Sequence, residues 1–162
     1  MLHRKCQIKQ LKMRINFIFF LFILFSLNSY LSQNDDNLVL NPSFESIDGK
    51  LRKLNQINVA TDWYSPTSLR ADLFSSNVPG NIGTPENIYG KEFPKEGENY
   101  AGILTYSYNN KKPRTYLQSM LIKPLASGLS YCVNINVSLS DLSKYAIDNI
   151  GVYISEQPVT LD

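Results

Sequence analysis

The feature that most constrains this fold is an alternation of apolar and polar side chains from Tyr131 to Ser140, "YCVNINVSLS". Every odd-numbered position is apolar, and every even-numbered position is small or polar. Period two over this length is the pattern of a β-strand with one buried face, and β-branched residues suit a pleated surface. The segment therefore predicts a long strand packed on a core. Its apolar face comprises Tyr131, Val133, Ile135, Val137 and Leu139.

Shorter strand candidates lie on both sides of this segment, and helical periodicity is hard to find after residue 32. The candidates are residues 37–40, 57–63, 100–108, 115–122 and 149–155. Turn-rich stretches such as "NNKKPR" and "KPLASG" separate them, and their Pro and Gly residues interrupt regular secondary structure. Many short strands joined by such loops predict an all-β fold, specifically an antiparallel jelly-roll β-sandwich.

One predicted loop is long. Residues 75–99 hold four Gly and three Pro, and loops of this length are often functional or disordered. The apolar residues within it, Ile82, Ile88, Tyr89 and Phe93, predict that it packs against the domain.

The N-terminus has the composition of an export signal. Residues 1–14 carry five Lys or Arg and no acid, and an uncharged apolar run extends from Ile15 to Leu27. This order predicts a signal peptide at residues 1–32, with Met13 as an alternative start. The run is short for a membrane anchor, which needs about 20 apolar residues. We therefore expect an exported protein, located in the periplasm, on the outer-membrane surface or outside the cell, with no transmembrane span after cleavage.

The composition of the remaining module, residues 33–162, excludes several functions. Five of the 16 Lys and Arg lie in the leader, so 11 remain against 14 acidic residues, a net charge of −3. No basic stripe is left for nucleic acid. The one histidine, His3, also lies in the leader, which removes His-dependent catalytic triads and His-ligated metals from the module. Cys132 is its one cysteine, so no internal disulfide is possible.

Aromatic residues suggest where a ligand would bind. In "YSYNNKKPRTY" three tyrosines and an arginine surround a polar loop, a combination that binds glycans or a partner protein. Cross-strand pairing of the rings on an exposed sheet face is the alternative. These ligand-binding candidates are Tyr106, Tyr108, Arg114 and Tyr116.

Trp63 and Tyr64 form a second aromatic candidate. Either ring could stack on a sugar. A lone Trp in a domain of this size more often fills the core, so Tyr64 is the binding candidate and Trp63 is predicted to be a core residue.

Asp141 and Asp148 are the carboxylates considered for glycoside hydrolysis. Nothing around them in the sequence tunes either group, and Asp148 is better explained as a turn cap. We predict no catalytic residue and no enzyme activity.

Several short motifs together resemble a known family. They are "NLVLNPSFE", "ATDWYSPT", "ADLF", "EGENYAGILTY", "YLQSMLIKPLASGLSYCVNINVSLSD" and "SKYAIDNIGVYIS". Their order is similar to that of galactose-binding-like, carbohydrate-binding jelly-roll modules. Such modules form the N-terminal part of secreted or OmpA-family envelope proteins in polysaccharide-degrading Gram-negative bacteria. The resemblance implies a binding module, and it implies further strands after residue 155, so the module is expected to be incomplete.

The "NPSFE" motif gives a metal candidate. Asn41 and Pro42 predict a turn, Phe44 returns to the core, and Glu45 points outward among loop carbonyls. Calcium prefers such oxygen ligands, and the resemblance implies a calcium site, so Glu45 is the predicted metal ligand and structural calcium the predicted cofactor. A solvated glutamate is the alternative.

From these observations we expect a non-catalytic recognition module at the cell surface or envelope. Glycan is the leading ligand class, and a cell-surface protein is the other possible partner. The alternative function is a structural or adhesive head domain of an OmpA-like envelope protein with no sugar site.

Overall fold

A computed structural model describes residues 37–161, and the fold below belongs to the unit that begins at Leu38. The predicted signal peptide, with Met13 and His3, lies outside these residues. The described part is a small all-β fold without an α-helix or a closed barrel, which confirms the all-β prediction. Its elements are the 3-10 turns Ile57–Val59 and Tyr108–Asn110 and six strands: β1 Trp63–Tyr64, β2 Asp72–Ser75, β3 Glu86–Asn87, β4 Gly90–Lys91, β5 Asn99–Gly102 and β6 Gln118–Ser119.

The antiparallel pair β2–β5 is the centre of the fold. Leu73 lies opposite Ala101, and Phe74 lies opposite Tyr100. The rings of Phe74 and Tyr100 stack with their centroids 5.0 Å apart. A Cβ at Gly102 would lie 2.7 Å from the Phe74 ring, so glycine at the end of β5 leaves room for that ring.

The hydrophobic core surrounds β2, all four residues of which are buried. Burial of each large apolar side chain contributes roughly 1.5–3 kcal/mol. Phe44, Trp63 and Leu117 are partly buried against this core, as predicted for Trp63. The buried members are Leu51, Ile57, Val59, Ala60, Ala71, Leu73, Phe74 and Ile82.

The second pair, β1–β6, is extended by the N-terminal segment. Val39 forms an isolated antiparallel bridge with Leu121, and the Ile122 N–H donates to the Leu38 carbonyl at 2.9 Å. The strand predicted at residues 37–40 is therefore reduced to a single bridge.

Asn41 organises the start of the fold. Its φ is +47°, and its carbonyl accepts the Phe44 N–H at 3.0 Å, which closes the predicted turn. Its side-chain Nδ2 donates to the carbonyls of Ser46 and Thr61, both at 2.9 Å. The Trp63 indole N–H donates to the Asn41 carbonyl at 2.8 Å. The first turn is thereby joined to the chain around β1.

The strand prediction for residues 131–140 is wrong. This segment is assigned no strand, and every residue in it is exposed. None of the backbone hydrogen bonds in the described part of the chain involves residues 131–139. A strand needs a neighbour for its N–H and C=O groups, and no other described segment takes that position. Residues 149–155 are likewise exposed and form no strand, so the structure does not confirm a jelly roll.

Two other predicted strands are shorter than expected. In the segment 57–63, the first residues form a 3-10 turn closed by the Ala60 N–H on the Ile57 carbonyl, and strand begins only at Trp63. In the segment 100–108, β5 ends at Gly102 and a loop follows.

The long loop packs only in part. Residues 75–99 include the antiparallel hairpin β3–β4, and Ile82 is buried in the core. The remaining predicted contacts are weaker, because Ile88, Tyr89 and Phe93 are exposed to 44%, 39% and 66%.

Within residues 37–161, none of the helical segments has the length and apolarity required to cross a membrane.

Candidate binding surface

The β1–β6 pair carries one group of candidate residues on its outer face. Tyr64 lies directly opposite Gln118, and opposed residues of an antiparallel pair project to the same side. The neighbouring residues Trp63 and Leu117 pack on the core. Alternation along β1 therefore directs Tyr64 away from the core, and Gln118 projects to the same side. Tyr116 lies two residues before Gln118 and is exposed. We call these three residues the β1–β6 surface.

Two tyrosines of this surface are accessible to a ligand. The side chains of Tyr64 and Tyr116 are 50% and 39% exposed. Gln118 adds an amide, whose Oε1 accepts the Val159 N–H at 2.9 Å and whose NH₂ group remains as a donor.

Ser65 fixes the position of the Tyr116 backbone. Its hydroxyl donates to the Tyr116 carbonyl at 2.8 Å and accepts the Ala71 N–H at 2.9 Å. One side chain thus connects the end of β1, the approach to β2 and the segment that carries Tyr116.

The second group of candidates lies in the loop of residues 106–114. At its base, the Thr115 N–H donates to the Leu104 carbonyl at 2.9 Å and the Leu104 N–H donates to the Thr115 hydroxyl at 2.8 Å. At its tip, Ser107 accepts the Asn110 N–H on its carbonyl and the Lys112 N–H on its hydroxyl, both at 3.0 Å. These local bonds order a loop that has no strand partner.

The ring contacts of this loop differ from the prediction. Tyr106 packs edge-to-face on Tyr145, with the ring centroids 5.0 Å apart. Tyr108 and Arg114 are exposed. Among the described residues, neither a hydrogen bond nor a ring contact joins this loop to Tyr64 or Tyr116. The candidates therefore form two separate groups.

Sequence reasoning missed Gln118 and Tyr145. Gln118 could have been found, because it alternates with Tyr116 around the apolar Leu117. Tyr145 could not, because its contact with Tyr106 depends on how a distant loop folds back.

The Glu45 carboxylate is bound by backbone and amide donors. Its Oε1 accepts the N–H groups of Glu98 and Asn99 at 3.0 and 3.1 Å, and its Oε2 accepts the Asn99 side-chain NH₂ at 3.1 Å. Gly97 has φ +66°, and a Cβ there would overlap the carboxylate. Glycine at 97 therefore lets the loop close on Glu45.

The surroundings of Glu45 differ from the loop carbonyls that the sequence predicted. Calcium takes six to eight oxygen ligands, whereas the groups facing Glu45 are N–H donors. Glu98 is the acidic neighbour, and its Oε2 accepts the Asn77 side-chain NH₂ at 2.6 Å. The Asn99 Oδ1 is buried without a partner, yet residues 37–161 contain no group of three or more acidic, His or Cys side chains suited to a metal. Calcium at Glu45 stays a prediction.

Asp141 and Asp148 are not brought together by any contact in the described residues. Asp141 accepts the Lys91 N–H at 2.7 Å on Oδ2, a structural contact that joins residues 140–142 to β4. Cys132 is exposed.

A buried carboxyl group, Asp72, lies beside the core and is paired with the exposed Tyr89. Asp72 is 9% exposed, and its Oδ1 accepts the Asn55 N–H at 2.6 Å. Burial raises the pKa of Asp72, while hydrogen bonds from Asn55 and Tyr89 and the charge of Lys112 act in the opposite direction. Burial raises the pKa of Tyr89 as well, assisted by the nearby charge of Asp72. The pattern of residues in "ADLF" does not predict that Asp72 pairs with Tyr89.

Two shallow depressions lie elsewhere on the domain. One, of about 470 Å³, is lined by Arg52, Lys53 and residues around Pro79. The other, of about 410 Å³, is lined by Glu45, Glu98 and neighbouring residues. Neither depression is lined by the candidate tyrosines.

Comparison with protein-family models, curated proteins and solved structures finds no match for this chain. The function must therefore be argued from the geometry above and from the motif resemblance.

Proposed function

We propose that this protein is an exported, non-catalytic recognition module of the cell surface or envelope that binds glycan through the β1–β6 surface. The observation that carries this proposal is the exposure of Tyr64 and Tyr116 at the β1–β6 pair, where Gln118 lies directly opposite Tyr64. The jelly-roll resemblance and the basic, apolar leader support the same function.

The chemistry of this surface suits a sugar. The face of an exposed tyrosine packs against the C–H face of a pyranose, and such aromatic contacts combine apolar area with a polar hydroxyl. The Gln118 NH₂ group and the two phenol groups supply donors and acceptors for sugar hydroxyls.

The 106–114 loop is a second contact region in this proposal. Arg114 supplies a cation and Tyr108 an exposed ring. Tyr106 is partly engaged by Tyr145, so we assign it a smaller contribution than Tyr108.

The alternative is an adhesive or structural head domain of an OmpA-like envelope protein without a sugar site. One observation favours this alternative, since the candidate tyrosines line neither of the two depressions. Calcium bound by Glu45 in a structural role belongs to both proposals and is tested separately below.

A glycan-array screen of protein expressed from the full-length sequence distinguishes the two functions. We expect binding to a polysaccharide, with affinity lowered at least about tenfold in Tyr64→Ala and Tyr116→Ala, since one stacked ring contributes on the order of 1 kcal/mol or more. Tyr153→Ala is the matched control, because Tyr153 is 80% exposed and lies outside both groups.

A variant that keeps the aromatic ring at residue 64 gives a second control. Tyr64→Phe keeps the stacking face and should bind nearly as well as the wild type. The adhesive head domain would be favoured if the array showed no glycan ligand. It would also be favoured if Tyr153→Ala and Tyr64→Ala lowered glycan affinity equally.

A further inference from the structure

Residues 131–140 form an exposed segment with an apolar face, and the backbone of residues 131–139 is unpaired. Residues 131–139 form no backbone hydrogen bond within the described part of the chain. Their alternate apolar side chains are 43–67% exposed. Unpaired N–H and C=O groups in an apolar, strand-forming sequence are a template for pairing with another chain.

The segment is held to the domain at its C-terminal end. The Ser140 hydroxyl and the Leu142 N–H both donate to the Tyr89 carbonyl, at 2.6 and 3.1 Å. Asp141 accepts the Lys91 N–H at 2.7 Å. The segment is therefore fixed at one end while its own backbone groups stay available.

The sequence of this segment is complementary to itself. In an antiparallel pair centred on Ile135, Tyr131 faces Leu139, Val133 faces Val137, and Ile135 faces its own copy. On the other face, Asn134 lies opposite Asn136, where the two amides are able to hydrogen-bond. A shift by one residue would place every apolar side chain opposite a polar one, so the alternation excludes registers shifted by an odd number of residues.

Charge does not oppose this pairing. No Lys, Arg, Asp or Glu occurs from residue 124 to residue 140. The first acid beyond the segment, Asp141, would face Leu129, so like charges are not placed opposite each other.

We infer that residues 131–140 pair with the same residues of a second copy, forming an antiparallel two-stranded ribbon centred on Ile135. This pairing supplies the missing backbone partners and joins the apolar faces of both copies. A two-stranded ribbon is marginal alone. The exposed residues Ile150, Val152 and Ile154 of each copy provide apolar side chains to cover it.

A charge-swap experiment tests the centre of the pair. Protein expressed from the full-length sequence should form a dimer, measured by light scattering after size exclusion. Ile135→Lys and Ile135→Glu should each be monomeric, because each places two like charges opposite one another. Mixing the two variants should restore a dimer, since Lys then faces Glu. Ile135 is 53% exposed, so neither variant should disturb the domain itself, which circular dichroism checks.

Met120→Lys is the matched control for the added charge. Met120 is 62% exposed and lies outside the segment, so this variant should remain dimeric.

A disulfide experiment tests the register. In the proposed pair Cys132 faces Ser138 of the second copy, and Ser138→Cys should give a crosslinked dimer on copper-catalysed air oxidation. Within one chain these positions are about 20 Å apart when extended, far beyond disulfide reach. Ser140→Cys is the control, because residue 140 would face Ser130 and should crosslink much less. The wild type should also crosslink poorly, because its two Cys132 residues would be offset by about 20 Å.

Three results would overturn the inference. They are a monomeric wild type across the accessible concentration range, a dimer that Ile135→Lys leaves intact, or equal crosslinking of Ser138→Cys and Ser140→Cys. A monomer that instead binds a different protein through this segment would also count against pairing of two copies.

Discussion

Glu45 and Asn99 are joined by two hydrogen bonds although they lie 54 positions apart. One carboxylate oxygen accepts the Asn99 backbone N–H, and the other accepts its side-chain NH₂. The same NH₂ group donates to the Phe44 carbonyl at 3.0 Å. The turn at the start of the domain is thereby attached to the first residue of β5.

Replacing Glu45 by Gln should destabilise the domain. The amide still accepts on one side, but its NH₂ group would face the Asn99 NH₂, so two donors oppose each other. We expect a loss of about 1–2 kcal/mol in the free energy of unfolding, since hydrogen bonds to a charged acceptor are the stronger kind. A denaturant titration followed by circular dichroism measures it.

The same variant tests calcium. If Glu45 only accepts hydrogen bonds from Glu98 and Asn99, millimolar calcium should leave the melting temperatures of the wild type and of Glu45→Gln unchanged. A calcium-dependent rise in the wild type that is lost in Glu45→Gln would instead support the calcium prediction. Glu96→Gln is a suitable control for the removal of one exposed carboxylate.

Replacing Asp72 by Asn should change the pH dependence of stability. The folded pKa of Asp72 is raised above its ordinary value of 3.8, so between these two values the folded state binds more protons than the unfolded state. The contribution of Asp72 to stability is therefore fullest in acid and falls as pH rises through this window. Asp72→Asn keeps an acceptor for the Asn55 N–H and removes the charge. The variant should gain stability relative to the wild type as pH rises.

Melting temperatures from about pH 3 to about pH 7 measure this difference. Asp148→Asn, an exposed carboxyl, is the control and should follow the wild type. A variant that loses stability relative to the wild type as pH rises would contradict the assigned direction.

The Trp63 side chain should stabilise the turn that begins at Asn41. Trp63→Phe keeps an aromatic ring beside Phe44, whose ring centroid lies 4.7 Å from that of Trp63. It removes the indole N–H that donates to the Asn41 carbonyl. We expect the free energy of unfolding to fall by about 1–2 kcal/mol, because the variant loses one hydrogen bond and part of the buried area of the ring. Chemical denaturation measures it, and no change would mean that this bond does not contribute to stability.

Ser65 should influence glycan binding without touching the ligand. Ser65→Ala removes the hydroxyl that bonds to both Tyr116 and Ala71, so the segment carrying Tyr116 loses a fixed position. We expect affinity to fall by about threefold to tenfold, less than in Tyr116→Ala, since one neutral hydrogen bond contributes about 1 kcal/mol. Ser65→Thr, which restores a hydroxyl, should recover binding. Failure of this rescue would argue against a positioning role.

Local features of the sequence predicted part of this fold correctly. The turn at Asn41 follows from an Asn–Pro pair, and the core position of Trp63 follows from its size, because both depend on neighbouring residues. The outward direction of Tyr64 follows from the burial of Trp63 by strand alternation. These predictions needed no knowledge of distant contacts.

The incorrect prediction has a physical cause. Alternation from Tyr131 to Leu139 indicates that one face favours burial, but it does not identify the partner that supplies hydrogen bonds and a surface. The Asp72 pair was missed for a related reason. The Asn55 backbone, at φ +62°, brings an N–H to Asp72 from outside the strand, and nothing in "ADLF" indicates that contact.

The parallel bridge between Thr67 and Leu161 bears on when the domain is completed during synthesis. The Leu161 N–H donates to the Pro66 carbonyl at 2.7 Å, and Val159 bonds to Gln118 on the β1–β6 surface. These contacts cannot form until residues 159–161 have left the ribosome. Until then, the Pro66 carbonyl and the Gln118 amide of a nascent chain lack these partners.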